Sequence, residues 1–246
     1  MPFRSAHALA VAVSAVATAA ALPAGASVII DNATSGYMNT ALGDLAEDST
    51  LGNQTDTATG EKLFPAANVA EGDPTIPPVA TEPDLANADP GTQTAFGNFL
   101  GNTNALGGNW SSSPMAVPSS WAVNDETAIV YEFDPGTPRR AALSIEIGVD
   151  NGIFVWLNGD YLTGALAPGG AFPAEYTASA QVGPGTNYLQ ILREDHGGST
   201  GYDIQVTATA VPMPASLGLL GAGLIALGAV TRPRQTPASP PNLNRR

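Results

Sequence analysis

Over its second half the chain alternates in steps of two. Leu143, Ile145, Ile147 and Val149 take turns with Ser144, Glu146, Gly148 and Asp150, the spacing that sends one set of side chains into a core and the other into water. Before them, Thr127 to Phe133 is rich in Ile, Val, Tyr and Phe and closes on Asp134-Pro135-Gly136, a turn sequence. Ile153 to Leu157 is apolar at every position, which predicts a strand buried on both faces. Asn151-Gly152 and Asn158-Gly159 bracket it, and Asn-Gly steps of this kind close tight hairpins, so a β-meander is expected. Pro184-Gly185 introduces another strand at Thr186 to Arg193, and Tyr202, Ile204 and Val206 alternate with Asp203, Gln205 and Thr207 in a last one. At least five strands, no helical period and no alternation of strands with helices predict an all-β chain built as an antiparallel, jelly-roll-like β-sandwich.

Residues 27–121 carry a weaker signal. Val28 to Ile30 reads as a strand, Asp73 to Pro90 is rich in Pro and Ala, and Gln93 to Leu100 reads as a short helix. Its apolar groups are too scattered for a core of its own. It is therefore assigned to the same sandwich, giving one domain over residues 27–210.

The two ends follow other rules. After Arg4 the chain is apolar from Ala8 to Leu22 and then reads Ala24-Gly25-Ala26, the layout of a signal peptide cleaved before Ser27. Residues 1–26 are therefore expected to be a signal helix. At the other end, Ala215 to Val230 is uncharged and followed by Arg232 and Arg234. A helix from Pro214 would cross a bilayer with its arginines on the cytoplasmic side. The order Val211-Pro212-Met213-Pro214-Ala215, Gly/Leu-rich span, Arg232-Pro233-Arg234 resembles the PEP-CTERM sorting signal in its VPLPA-type variant. That resemblance implies an exosortase substrate: exported, held for a time in the inner membrane over residues 211–234, then cleaved and delivered to the envelope or outside the cell. Residues 235–246 are expected to be a disordered tail.

Composition narrows the chemistry. The chain has 9 Lys and Arg against 22 Asp and Glu and no cysteine. Disulfides, thiolate metal sites and cysteine nucleophiles are thereby excluded, and no basic stripe offers itself to nucleic acid. All 22 acidic residues lie between positions 27 and 211, where the only bases are Lys62, Arg139, Arg140 and Arg193. Asp150, Glu194, Asp195 and Asp203 fall near strand ends and are the candidate ligands for calcium, which takes hard oxygen donors; no other cofactor is expected. Glu194-Asp195-His196 is the densest polar cluster, but no Gly-x-Ser-x-Gly elbow supplies a nucleophile, so the chain is expected not to be an enzyme. Of the tryptophans, Trp156 belongs to a core strand and Trp121 is expected to pack. Trp110, in Gly107-Gly108-Asn109-Trp110-Ser111, is borne on a loop and is the candidate for stacking on a sugar ring.

Asp150-Asn151-Gly152 followed by Val155-x-Leu157-Asn158-Gly159, with Pro184-Gly185-x-Asn187 before a late strand, resembles galactose-binding-like and PA14-like jelly rolls. Trp121-Ala122-Val123-Asn124 and Arg193 to Gly198 are also similar to segments of PEP-CTERM proteins that bring no activity with them. These resemblances imply an exported structural or matrix component tied to exopolysaccharide or biofilm. A carbohydrate-binding module, calcium-dependent or not, is the alternative, and an exported hydrolase stands third.

Overall fold

The computed structural model describes residues 25–45, 82–88, 90–150, 152–166, 170–195 and 198–212. Ten strands run in chain order: β1 (Ser27–Ile30), β2 (Ser35–Gly43), β3 (Met115–Ala116), β4 (Glu126–Phe133), β5 (Ala141–Asp150), β6 (Gly152–Leu157), β7 (Asp160–Leu166), β8 (Tyr176–Val182), β9 (Asn187–Glu194) and β10 (Gly201–Ala210). Among the described residues one short α-helix, α1 (Pro90–Phe96), preceded by a 3-10 turn at Leu85–Asn87, lies between β2 and β3. The strands form two sheets, ordered β1-β10-β5-β8 and β3-β2-β4-β9-β6-β7. Every pairing is antiparallel. These elements lie in a compact unit, Ala24–Val211.

The alternation in β5 does what its period requires. Leu143, Ile145, Ile147 and Val149 are buried, and they meet Ile129, Tyr131, Ile153, Val155, Leu189 and Ile191 from the facing sheet. Tyr202, Ile204, Val206 and Ala208 of β10 complete the layer. Each such aliphatic side chain withdrawn from water contributes about 1.5–3 kcal/mol before entropy is counted, so this contact holds the two sheets face to face.

The six-stranded sheet is buried on its outer side as well. Ala128 and Val130 of β4, Phe154 and Trp156 of β6 and Leu192 of β9 form a second core with Leu42, Leu45, Leu85, Phe96, Phe99 and Leu106. That outer cover explains why Ile153 to Leu157 carries apolar residues at both parities.

The two Asn-Gly steps part company. Asn158 and Gly159 have φ of +53° and +80° and join Leu157 to Asp160 in register, the two-residue turn such residues favour. Asn158 also accepts the Tyr188 N–H at 2.8 Å through its side chain, tying the hairpin to β9. Gly152, by contrast, is the first residue of β6 and pairs with Leu166 and Glu194. The chain passes from one sheet to the other there, so β5 and β6 are not neighbours and the expected meander is corrected to a lone β6–β7 hairpin. The expected helix at Gln93 to Leu100 begins earlier and is shorter, because Pro90 suits a first turn and Gly97, at φ +54°, ends it. Among the described residues no helix is long and apolar enough to cross a membrane. The expected signal helix, transmembrane helix and tail lie outside the described residues.

Candidate functional site: an aromatic hollow at Trp110

The loop from Gly97 to Ser112 is folded back over α1. Gly97 ends the helix, its N–H donating to the Gln93 carbonyl at 3.1 Å, while a side chain there would strike the Leu106 carbonyl. Gly107 and Gly108 both have positive φ, and a Cβ on Gly108 would lie 2.8 Å from the Thr94 and Ala95 carbonyls. The Gly-Gly pair thus lets the loop lie directly against the helix end. Its far end is fixed to β2, where Ser111 N–H donates to the Met38 carbonyl at 2.8 Å and Ser111 Oγ accepts the Met38 N–H at 3.0 Å.

This folding places Trp110 half-buried on the surface. Its indole N–H donates to the Phe96 carbonyl at 2.8 Å. Its ring is stacked on Phe99, centroids 5.7 Å apart and planes 17° from parallel. Phe99 in turn meets the edge of Trp156 at 5.4 Å, and Trp156 meets Tyr161 at 5.5 Å. The indole of Trp156 donates to Glu82 at 2.6 Å. Trp110 is therefore the outermost member of an aromatic series rooted in the second core. Beside it is an open hollow of about 320 Å³, lined by Trp110, Leu106 and Gly107 together with Asn104, Ser111 and Ser112. The lining alternates an apolar ring with amide and hydroxyl groups, which is what a sugar presents in complement.

Glu132 reaches the rim. It is exposed, and its Oε2 accepts the Asn104 amide at 3.0 Å. Directly across the strand pair stands Tyr188 of β9, which with Tyr37 of β2 is half-buried on the same outer face. Partial burial lifts the Tyr188 phenol above its ordinary range, and Glu132 and Tyr37 add to that.

The four candidate calcium ligands fall at three places. Asp150 ends β5, is 2% exposed, and accepts the Ser199 hydroxyl at 2.8 Å. Asp203 lies on the outer face of β10 and accepts the Asn32 amide at 2.5 Å. Glu194 and Asp195 are fully buried at the end of β9, Asp195 accepting the Asn124 N–H at 2.6 Å. Among the described residues no three His, Cys, Asp or Glu side chains are disposed to hold a metal ion. His196 lies outside the described residues.

Sequence reasoning missed the most perturbed carboxyl group. Glu126, the first residue of β4, comes to lie beside Glu194, because Thr127 pairs with Arg193 in the adjoining step. Burial pushes its carboxyl up to about 9 against the pull of the Leu45 N–H bond, and Glu194, Asp44 and Asp195 raise it further. Arg193 faces the other way, between the sheets. It donates to Thr127 Oγ1 at 2.9 Å and to the Pro118 carbonyl at 2.8 Å, with its guanidinium 4.3 Å from the Trp121 ring and 5.1 Å from that of Tyr202. Burial lowers its pKa to about 10, which leaves it charged at neutral pH. The expected packing role of Trp121 is this contact.

Of the sorting-motif residues, Val211 donates its N–H to the Arg140 carbonyl at 2.9 Å just after β10, and Pro212 is exposed. Met213, Pro214, Ala215, Arg232 and Arg234 lie outside the described residues.

No family model matches the chain, and no curated protein matches it either. Among solved structures it is similar to a PA14 sugar-binding domain from RTX adhesin, at 16% identity and a TM-score of 0.26. The match covers 42% of this chain and 53% of that one, so the chain spans about half the length of that neighbour.

Proposed function

We propose that the sandwich is a carbohydrate-binding module in which Trp110 forms the floor for a sugar ring and Asn104, Ser111 and Ser112 meet its hydroxyls. The observation that carries this reading is the mounting of the Trp110 ring. Its back is stacked on buried Phe99 and its N–H is spent on a backbone carbonyl, so the free face is presented without an ordering cost at binding. The reading is of binding without turnover. Glycoside hydrolysis takes two carboxyl groups flanking the bond, whereas the hollow's described lining holds none and Glu132 alone touches its rim through Asn104. Buried Glu126, Glu194 and Asp195 belong to the strand ends and not to the hollow.

Export and exosortase processing to an envelope or matrix location are part of the same proposal, and they rest on the order of motif, apolar span and arginines from Val211 to Arg234. An acidic, sugar-binding body delivered to the cell exterior suits a component that associates with exopolysaccharide. Calorimetric titration of the full-length protein with neutral oligosaccharides tests the binding claim. Saturable binding that Trp110→Ala removes supports it, and binding unchanged in that variant overturns it. Intact-mass measurement in strains with and without exosortase tests the processing claim, which requires loss of the C-terminal segment only when the enzyme is present.

A further inference from the structure

We infer that the glycan suited to this hollow carries free amino groups, so that it is a cationic amino-sugar polymer in preference to a neutral or uronate one. This rests on the carbohydrate-binding reading and narrows its ligand class. Two observations at different scales point the same way.

The first is local. Glu132 is exposed, and the Asn104 amide that lines the hollow donates to its Oε2, so a carboxylate is held at the edge of the aromatic floor. Tyr188 stands directly across the strand pair from it. A sugar ring resting on Trp110 therefore has its neighbouring unit, one sugar further along, near a carboxylate with a phenol ring beside it. An ammonium group satisfies both, through charge and through the face of the ring. A hydroxyl meets only a hydrogen-bond acceptor there, and a uronate meets a like charge.

The second is global. Between residues 27 and 211 the chain sets 22 acids against Lys62, Arg139, Arg140 and Arg193. Setting aside Arg193 and the acids buried as it is, Glu126, Asp150, Glu194 and Asp195, still leaves 18 of the 22 acids against three bases. Arg139 and Arg140 are exposed in the turn after β4, and Asp134 precedes them in that turn. A surface field of this sign repels polyanionic glycans at a distance and draws polycations toward the sheet.

The test compares three probes of equal length on the full-length protein in mild detergent, at mildly acidic pH where sugar amines are protonated. They are the glucosamine hexamer, the N-acetylglucosamine hexamer and a galacturonate hexamer. The glucosamine hexamer is expected to bind about five-fold or more tighter than the acetylated one, the size of one screened ion pair, and the galacturonate hexamer weakest. Added salt should shrink that preference. Glu132→Gln should shrink the preference for the glucosamine hexamer by most of that factor, and Glu132→Asp should keep it. Trp110→Ala should abolish binding of both amino-sugar probes. Equal binding of both probes to the wild type, or a preference undiminished in Glu132→Gln, overturns the amino-sugar inference, and if Trp110→Ala still abolishes binding the carbohydrate reading stands. Binding of no probe overturns both.

Discussion

The ring of Trp110 lies on the ring of Phe99, 5.7 Å away and within 17° of parallel. Phe99 is 1% exposed and also touches Phe96 and Trp156. A surface side chain that shares a stack with the core cannot turn without uncovering the buried ring beneath it. That coupling separates a binding floor from an exposed tryptophan, and it makes both halves of the pair measurable.

Phe99→Ala should cost about 3–5 kcal/mol of stability, the usual price of an emptied aromatic site. It should also free Trp110, with a red shift of tryptophan emission and weaker glycan binding. Phe99→Leu, which keeps most of the volume, should bind sugar with intermediate affinity. Thermal melts and titration on the same samples distinguish lost folding from lost pre-organisation.

Glu126 should make the fold less stable as pH rises. Its folded pKa, about 9, is above the unfolded value of 4.5, so between those two values the folded state holds a proton that the unfolded state has released. Stability from this group is complete below the unfolded pKa and falls until pH passes the folded one. Glu126→Gln keeps the group neutral and still able to accept the Leu45 N–H. It should stabilise the protein at neutral pH by about 1–3 kcal/mol and flatten the slope of stability against pH in that window. A variant with the wild-type slope would show that Glu126 is ionised in the folded protein.

Arg193 should tolerate little. Its guanidinium bonds Thr127 and the Pro118 carbonyl and lies over Trp121. Arg193→Lys keeps the charge but cannot span these partners in one plane, and should cost about 1–3 kcal/mol. Arg193→Ala should cost more, because it also empties the space between Trp121 and Tyr202. Denaturant unfolding of the two variants gives the order.

Gly148 should resist even a methyl group. The Phe172 carbonyl lies against its outer face, where a Cβ would have to be. Gly148→Ala should displace the segment from Gly170 to Glu175 and cost about 1–3 kcal/mol. Phe172, 62% exposed already, should become a faster site of chymotryptic cleavage. Cleavage at the wild-type rate would count against this packing.

How far the fold was legible depended on how each strand is buried. β5 and β10 have one wet face and one dry face, so their alternation is written plainly. β6 is dry on both faces, and its unbroken apolar run says so. β2 was hidden because its buried positions include Gly36 and Asn39, residues that do not read as core. Asn39 is tolerated there because its amide donates to the Ala95 carbonyl at 2.7 Å and its oxygen accepts the Ala41 N–H. β8 carries only small and polar residues beyond Tyr176 and Val182, too few to mark a period. Asn151-Gly152 misled because the dipeptide permits a hairpin without requiring one, and the choice between sheets is made by distant pairing. At the site, the Gly-Gly-Asn-Trp loop announced Trp110, but neither Glu132 nor Glu126 could be found from local sequence. Each gains its neighbours from strand register across dozens of residues.

Titration of the full-length protein and its Trp110→Ala variant with glucosamine and N-acetylglucosamine hexamers tests the central claim most directly. The account predicts saturable binding to the wild type, tighter for the amine-bearing hexamer, and loss of both in a variant that still melts cooperatively. Binding of equal strength in the folded Trp110→Ala protein would contradict it.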